Sequence, residues 1–342
     1  MQTAPATMKA MAATAFSLDT ISAIECATPS PKRGEILVRI NSVSLNYRDL
    51  AVLGGNYIPN LPLPLVPASD ACGIVVALGE GVDKWKPGDR VTPTYTQGWH
   101  DGKPTPQQRA KHTLGAPLTG VLQQYICIPA EDAVAPPAHL TDAEASTLPI
   151  AALTAWSSLQ EGQIKAGDAV LLQGTGGVSL FALQFAKAAG ARVIITSSSD
   201  QKLAQAKALG ADIGLNYKTL PDWSRAVREA TNDRGVDIVV ETGGSTLSQS
   251  LAATSFGGFV AVVGFVAGYE ATIQLRQLIG PMIRVQGIAV GSRARFEQMN
   301  RAITAHQIKP IIGKEFAFSD TRAAFHYMES GAHFGKVVIS VS

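Results

Sequence analysis

Cysteine is scarce in this sequence. Three residues, Cys26, Cys72 and Cys127, lie far apart in 342, and no two have CxxC spacing. They give no zinc knuckle and no disulfide framework, which predicts a reducing, cytoplasmic setting. Charge of one sign is equally scarce: 29 Lys and Arg face 27 Asp and Glu, for a formal net charge of +2 without a long basic run. Neither nucleic acid nor an anionic membrane is therefore expected as a partner. Long apolar runs are missing too. The most apolar, residues 256–268, is short and interrupted by glycine, so no membrane span is predicted. The first residues, MQTAPATMKAMAATAF, lack the charged-then-apolar layout of a signal peptide.

What is present suits a well-cored α/β protein: 46% apolar residues, 32 Gly and 19 Pro. The length predicts about two domains, at roughly 150 residues each. The organising stretch is residues 168–190, DAVLLQGTGGVSLFALQFAKAAG. A short apolar run is followed at once by Gly174, Thr175, Gly176 and Gly177. Val178, Phe181, Ala182, Phe185 and Ala188 then fall at helical spacing, and Gly190 stands where a helix would end. Strand, glycine turn, helix is the opening of a dinucleotide-binding unit, with a pyrophosphate resting on the helix N-terminus. Ser179 occupies the third position of G-x-G-x-x-G, so the match by itself is weak.

Context strengthens it. Up to about residue 136 the sequence reads as short strands and turns, which predicts a β-barrel-like domain. Residues 35–46, 72–79, 88–93 and 123–129 are the clearest strand signals. Residues 95–120 form a polar stretch without periodicity, expected to be a lid, a binding loop or an interface arm. From residue 142 helical and apolar segments alternate: a helical connection to about 160, then strands near 169–172, 191–196, 213–215, 236–241, 258–264 and 283–290 with helices between. Continuous apolar runs rather than alternating ones predict a parallel sheet covered on both faces.

NYRDLAVLGG (46–55), LPLVPASDACGIVVALGEGVDKWKPGDRV (63–91) and the closing HFGKVVIS (333–340), standing in order around the glycine turn, resemble the medium-chain dehydrogenase/reductase superfamily. The resemblance covers nearly the whole length. It implies a GroES-like β-barrel catalytic domain built from residues 1–135 and 292–342. Between them lies a Rossmann cofactor domain, a doubly wound parallel sheet, over 136–291, with the active site in the cleft. It also implies a homodimer joined through the last Rossmann strand, residues 284–290.

The zinc branch of that superfamily has a cysteine where this chain has Asn46 and a His-Glu pair where it has Ser69-Asp70. Its third ligand would fall near 150–152, where only apolar residues stand, and the loop of four structural cysteines is absent. Catalytic zinc needs three protein ligands and an open position, so no metal site is expected. The Asn46-Tyr47-Arg48-Asp49 pattern with Tyr57 instead resembles the zinc-free quinone oxidoreductase-like branch, which implies that Asn46 and Tyr57 line the nicotinamide and acceptor pocket. Read from the residues alone, Asn46 could equally end a strand and the tyrosines could be packing. Arg48 and Asp49 read as a local ion pair.

Cofactor contacts are expected at Gly174, Thr175, Gly176, Gly177 and Val178 in the turn. NAD specificity would place a carboxylate about 20 residues on. Ser197, Ser198 and Ser199 stand there instead, with Lys202 one turn away, while Asp200 reads as a helix cap. Hydroxyls and an ammonium suit a 2′-phosphate, so NADP(H) is the expected cofactor, and the resemblance adds Tyr217. It also implies contacts from Thr154, Thr242, Gly264, Phe265, Val266 and Lys336. Glu241 could contact the cofactor or serve as a structural acceptor. The expected reaction is zinc-independent, NADPH-dependent hydride transfer to a small-molecule quinone or activated alkene or carbonyl acceptor, with Tyr57 and Asn46 as catalytic residues. The rivals are a zinc-free alcohol dehydrogenase or ketone reductase and a non-catalytic NADPH-binding protein.

Overall fold

The computed structural model describes residues 4–55 and 57–341. The chain opens with β1 (Thr7–Ala13) and β2 (Ile21–Ala27), an antiparallel pair. Then come β3 (Glu35–Ser44), α1 (Tyr47–Leu53), β4 (Asp70–Leu78), β5 (Arg90–Pro93), α2 (Pro106–Lys111), β6 (Tyr125–Pro129), β7 (Ala133–Val134) and α3 (Asp142–Ser146). A π-helical turn, Leu148–Ala152, leads into α4 (Leu153–Glu161). The alternating stretch follows: β8 (Ala169–Gln173), α5 (Gly177–Ala188), β9 (Arg192–Ser197), α6 (Asp200–Ala208), β10 (Ile213–Asn216), α7 (Trp223–Ala230) and β11 (Val236–Glu241). It continues through α8 (Leu247–Ala253), β12 (Thr254–Val262), α9 (Leu275–Ile279) and β13 (Arg284–Gly287). The chain closes with α10 (Arg293–Ala305), β14 (Ile312–Ala317), α11 (Thr321–Glu329) and β15 (Lys336–Ser340).

Two compact units result, one running to Ala151 and resuming at Ser292, the other Ala152–Gly291. The first join lies later than the 135/136 expectation, and the reason is chemical. Asp142, at the start of α3, pairs with Arg90 of β5 at 2.8 Å and accepts from Asn41 Nδ2 of β3 at 2.7 Å. Arg90 also donates to Leu140 O. The linker is thereby bound to the strand-rich unit.

That unit is built on a seven-stranded sheet in the order β14-β15-β3-β4-β5-β7, with β6 also paired to β3. β3 is its axis. Ile36, Val38, Ile40 and Val43 are buried with Val75 of β4, Ile126 and Ile128 of β6, Val337 and Ile339 of β15, and Phe325 of α11. Residues 95–120, read as a polar stretch without periodicity, contain a short helix. Thr105 Oγ1 accepts from Gln108 N while the Gln108 side chain accepts from Thr105 N, and Pro106 stands at the first helical position. This capping box starts α2 in six residues, too few for a periodic signal.

In the second unit all strands are parallel, in the order β10-β9-β8-β11-β12-β13. The sequence order reverses between β8 and β11, the switch point at which open α/β sheets bind ligands. β8 is buried at every position, as expected for a strand with helices on both faces. β13 is the edge, and all four of its residues are exposed. Among the described residues no helix is long and apolar enough to cross a membrane.

Candidate active site

Between β8 and α5 the backbone must turn within three residues. Gly174 takes φ +73, the left-handed region that side chains resist. A Cβ at Gly174 or Gly176 would meet no heavy atom within 4 Å. Steric contact with the protein therefore does not explain the bare backbone at Gly176. Open space before a helix N-terminus, whose first N–H groups have no intrahelical acceptor, is what a pyrophosphate needs. Gly174, Thr175, Gly176, Gly177 and Val178 fit that role. Ser179, the departure from the glycine fingerprint, is buried and donates through Oγ to Gln173 O at 2.6 Å, which ties the helix to its strand.

Most of the other expected contacts of this unit lie at or just after carboxyl ends of its strands; Lys202 stands in the first turn of α6 and Thr154 in α4. Gly174 N donates to Thr196 Oγ1 at 3.4 Å, linking the turn to the end of β9. Ser197 is buried and Ser198 follows it. Ser199, not Asp200, caps α6, accepting from Lys202 N at 3.4 Å. Asp200 is the first helical residue, and its carboxylate accepts from Asn216 Nδ2 at 2.8 Å. Partial burial holds the Lys202 ammonium below the usual lysine range. Tyr217 N donates to Ser197 O at 3.1 Å, leaving its ring exposed beside this strand end. Thr242 Oγ1 donates to Gln173 O at 3.1 Å, Val266 N donates to Thr242 O at 3.1 Å, and the Phe265 ring stacks on Tyr269 at 4.6 Å. Gly264 passes close to Thr242, whose carbonyl would stand 2.9 Å from a Cβ there. Thr154 is buried in α4, and its carbonyl accepts from Ser158 Oγ.

Glu241 is the structural acceptor of the two alternatives the sequence left open. It is fully buried at the end of β11 and accepts from Gly243 N (2.8 Å), Gly244 N (2.9 Å), Thr246 Oγ1 (2.6 Å), Gln173 Nε2 (2.8 Å) and the Ser250 hydroxyl. Gln173 Oε1 in turn accepts from Thr242 N at 3.1 Å.

Asn46, Tyr57 and Lys336 lie in the strand-rich unit. Asn46 follows β3 and caps α1. Its Nδ2 donates to Asp70 Oδ2 at 2.9 Å, and its Oδ1 accepts from Lys336 Nζ at 2.7 Å. The ammonium also donates to Leu45 O at 2.5 Å. Asp70 Oδ2 accepts from Ile150 N at 3.1 Å, and Asp49 Oδ2 from Asn46 N at 2.8 Å. Asn46, Asp49, Asp70 and Lys336 are 8%, 1%, 0% and 4% exposed. Burial pushes the Asp70 carboxyl up to about 7, against the pull of Lys336 and of the Asn46 hydrogen bond. It pushes Asp49 up to about 6 against its bond from Asn46 N and the charges of Arg48 and Lys336. Burial also lowers the Lys336 ammonium, opposed by Asp70 and Asp49.

The expected Arg48–Asp49 ion pair is not formed among the described residues; the charge of Arg48 acts on Asp49 only at longer range, because its guanidinium is taken up elsewhere. Its guanidinium donates to Ser69 Oγ (3.3 Å), Leu114 O (3.2 Å), Thr113 Oγ1 (3.3 Å) and Ala116 O (2.5 Å). It also lies 5.7 Å from the Tyr57 ring centre and 5.1 Å from that of Tyr95. One side chain of α1 thus holds the far end of the 95–120 segment and faces the half-buried Tyr57. Sequence reading did not find this role, nor the joining of Asp70, Asp49 and Lys336 around Asn46. The signals were single letters whose meeting depends on strand register. Among the described residues no group of three or more His, Cys, Asp or Glu is placed to hold a metal ion.

Comparison with known proteins agrees with both halves of this picture. Residues 32–138 match the family model of the alcohol dehydrogenase GroES-like domain, and residues 177–305 that of the zinc-binding dehydrogenase. The chain is 44% identical to a zinc-type alcohol dehydrogenase-like protein of Schizosaccharomyces pombe over 90% of its own length and 91% of the relative's. It is 29% identical to the 2-methylene-furan-3-one reductase of Solanum lycopersicum, over 98% of this chain and 79% of that one. The crystal structure of an NAD-dependent alcohol dehydrogenase superposes with a TM-score of 0.89 at 32% identity, over 98% of this chain and all of that one. With a GroES-like unit, a Rossmann-type parallel sheet and these relatives along nearly its full length, the chain belongs to the medium-chain dehydrogenase/reductase superfamily and is an oxidoreductase of the nicotinamide-dinucleotide type.

Proposed function

We propose that this oxidoreductase is zinc-independent and NADPH-dependent, and that it transfers hydride to a quinone or to an activated alkene or carbonyl acceptor. The cluster around Asn46 carries the reading. A catalytic zinc needs three protein ligands. The positions that would supply them hold a carboxamide, a serine, one carboxylate and apolar residues 150–152. The Lys336 ammonium, 2.7 Å from Asn46 Oδ1, adds a resident positive charge that repels a second cation. These residues do not fit the metal.

NADPH supplies the hydride when bound. Gly174 to Val178 would hold its pyrophosphate, and Ser197, Ser198, Ser199, Lys202 and Tyr217 its 2′-phosphate. Thr154, Thr242, Gly264, Phe265 and Val266 would line the nicotinamide. The support for NADPH over NADH is the replacement of the usual carboxylate by three serines, with Lys202 in the next helical turn. The task left to this chain is to orient an acceptor and favour the negative charge that develops on its oxygen. Asn46 and Tyr57 are the donors we assign to that task. A quinone or enone asks little of them, because its charge spreads over a conjugated system. An isolated ketone asks for a stronger acid.

The names of the relatives favour one rival, a zinc-free alcohol dehydrogenase or ketone reductase. Assays with NADPH and NADH against quinones, enones and ketones, and with NADP and secondary alcohols in reverse, decide between them. Reduction of quinones or enones with NADPH preferred is expected. Secondary-alcohol oxidation without either reduction overturns the acceptor class, and stoichiometric zinc in the purified active enzyme overturns the metal-free reading. We also assign a homodimer through β13, whose exposed backbone edge can extend a sheet. Sedimentation at micromolar concentration should give twice the 35.9 kDa chain mass.

A further inference from the structure

A carboxamide has two ends of nearly equal size and opposite polarity, and its surroundings decide which way round it stands. At Asn46 the surroundings are charged. An ammonium lies on the oxygen and a carboxylate on the nitrogen. We propose that Lys336 and Asp70 are positioning residues that fix the orientation of the Asn46 carboxamide, so that what Asn46 offers an acceptor is an N–H donor. The inference rests on the reading that Asn46 meets the acceptor.

Register brings the two charges there. β3 lies between β4 and β15, with Ser44 opposite Asp70 on one side and opposite Val338 on the other. Asn46 continues from β3 as its two neighbours begin, so the first residue of each, Asp70 and Lys336, flanks it. Asp49 holds the backbone of Asn46 through its N–H, and the Lys336 bond to Leu45 O anchors the ammonium from the same segment. Turning the amide over would set N–H against ammonium and oxygen against carboxylate. Both hydrogen bonds would become repulsions.

Stability alone is a poor account of this arrangement. Two carboxylates and an ammonium are buried together, a costly choice unless every polar atom is satisfied. Among the described residues neither Asp49 Oδ1 nor Asp70 Oδ1 has a hydrogen-bond partner. Both ends of the Asn46 amide, by contrast, meet the side chain of an ionisable residue. Asn46 keeps a second N–H on Nδ2, since the first is used by Asp70, and charge-assisted bonds hold the group stiffly.

Five variants test this: Asn46→Ala, Lys336→Met, Asp70→Asn and the double variants Lys336→Met/Asp70→Asn and Asn46→Ala/Lys336→Met, assayed with NADPH against 1,4-benzoquinone and 2-cyclohexenone, with unfolding followed in parallel. Loss of one charge-assisted contact is expected to lower kcat about tenfold in each single variant, with KM for NADPH within about twofold. The Lys336→Met/Asp70→Asn double variant removes one charge of each sign and leaves Asp49 with the Asn46 N–H and the charge of Arg48, so it should recover stability relative to Lys336→Met while kcat stays low. Lys336→Met placed on Asn46→Ala should cost less than about twofold more, because the two act through one group. A Lys336→Met/Asp70→Asn variant that regains both stability and kcat makes the pair structural and overturns the proposal, as does multiplication of the Lys336→Met and Asn46→Ala losses. If Asn46→Ala leaves kcat unchanged, or no acceptor is reduced at all, the proposed function falls first and this inference with it. Should Lys336→Met fail to fold, the nearly isosteric double variant still separates a positioning role from a structural one.

Discussion

Asp70 in the strand-rich unit and Glu241 in the parallel-sheet unit are both carboxylates with no exposed surface, and the two are held in opposite ways. Glu241 lies among five donors drawn from its own strand end and from neighbouring segments. Asp70 has two donors, both on Oδ2, and otherwise depends on the charge of Lys336. Buried anions cost little when hydrogen bonds replace water and much when they do not. Glu241 accordingly organises the turn after β11 through these donors. Asp70 is poised, its carboxyl raised to about 7.

The comparison can be broken by substitution. Glu241→Gln places an N–H₂ among groups that all donate. It is expected to cost about 3 kcal/mol in denaturant unfolding, the scale of broken bonds to a buried charge. Asp70→Asn should cost less, because it also removes a burial penalty; the reverse order would refute the distinction. In the strand-rich unit Tyr57→Phe should lower kcat about tenfold, the worth of one hydrogen bond to a developing charge, and leave KM for NADPH unmoved. In the parallel-sheet unit Lys202→Ala should raise KM for NADPH several-fold, roughly one charge-assisted contact, without touching KM for NADH. Equal effects on both cofactors would remove its phosphate role.

The smallest effect is in pH dependence. Asp49 and Asp70 both have folded-state values above the usual carboxylate range. The folded protein therefore holds protons there that the unfolded chain has released. Their contribution to stability is full below about pH 4 and is lost as pH rises through about 6 and 7. Asp70→Asn should flatten that decline between pH 4 and 7, read as the difference in unfolding free energy from the parent. A decline of unchanged slope would show that Asp70 does not titrate differently on folding.

The two units also differ in how much of them the sequence disclosed. The parallel sheet was legible because its signals are local: an apolar run, glycines, then helical spacing, repeated. Even its misreading was local, the α6 cap shifting from Asp200 to Ser199. The cluster around Asn46 was not legible. Asn46 meets Asp49 locally at the start of α1, but Asp70 and Lys336 reach it only through the antiparallel register of β4 and β15 on β3, which no periodicity encodes. Asp70 accordingly read as a lone carboxylate and Lys336 as a cofactor contact. The 95–120 segment was hidden for a third reason. Its short helix rests on one capping box, and its closure rests on Arg48, which stands far away in the chain.

That closure has a consequence for how the protein can change. Thr96 and Thr113 pair as an antiparallel bridge, Gln97 N donates to His112 O at 2.7 Å, and Gln108 Nε2 donates to Gly98 O at 2.7 Å. The excursion thus leaves and re-enters the barrel at one doorway, with Arg48 bolting the frame. Beyond the doorway, Trp99 O and His100 O accept from the start of α10, so the part left to be lengthened, trimmed or exchanged without moving the strands beneath is the stretch from residue 101 to 111. A lineage carrying this fold can vary the excursion while the chemistry below it is inherited intact.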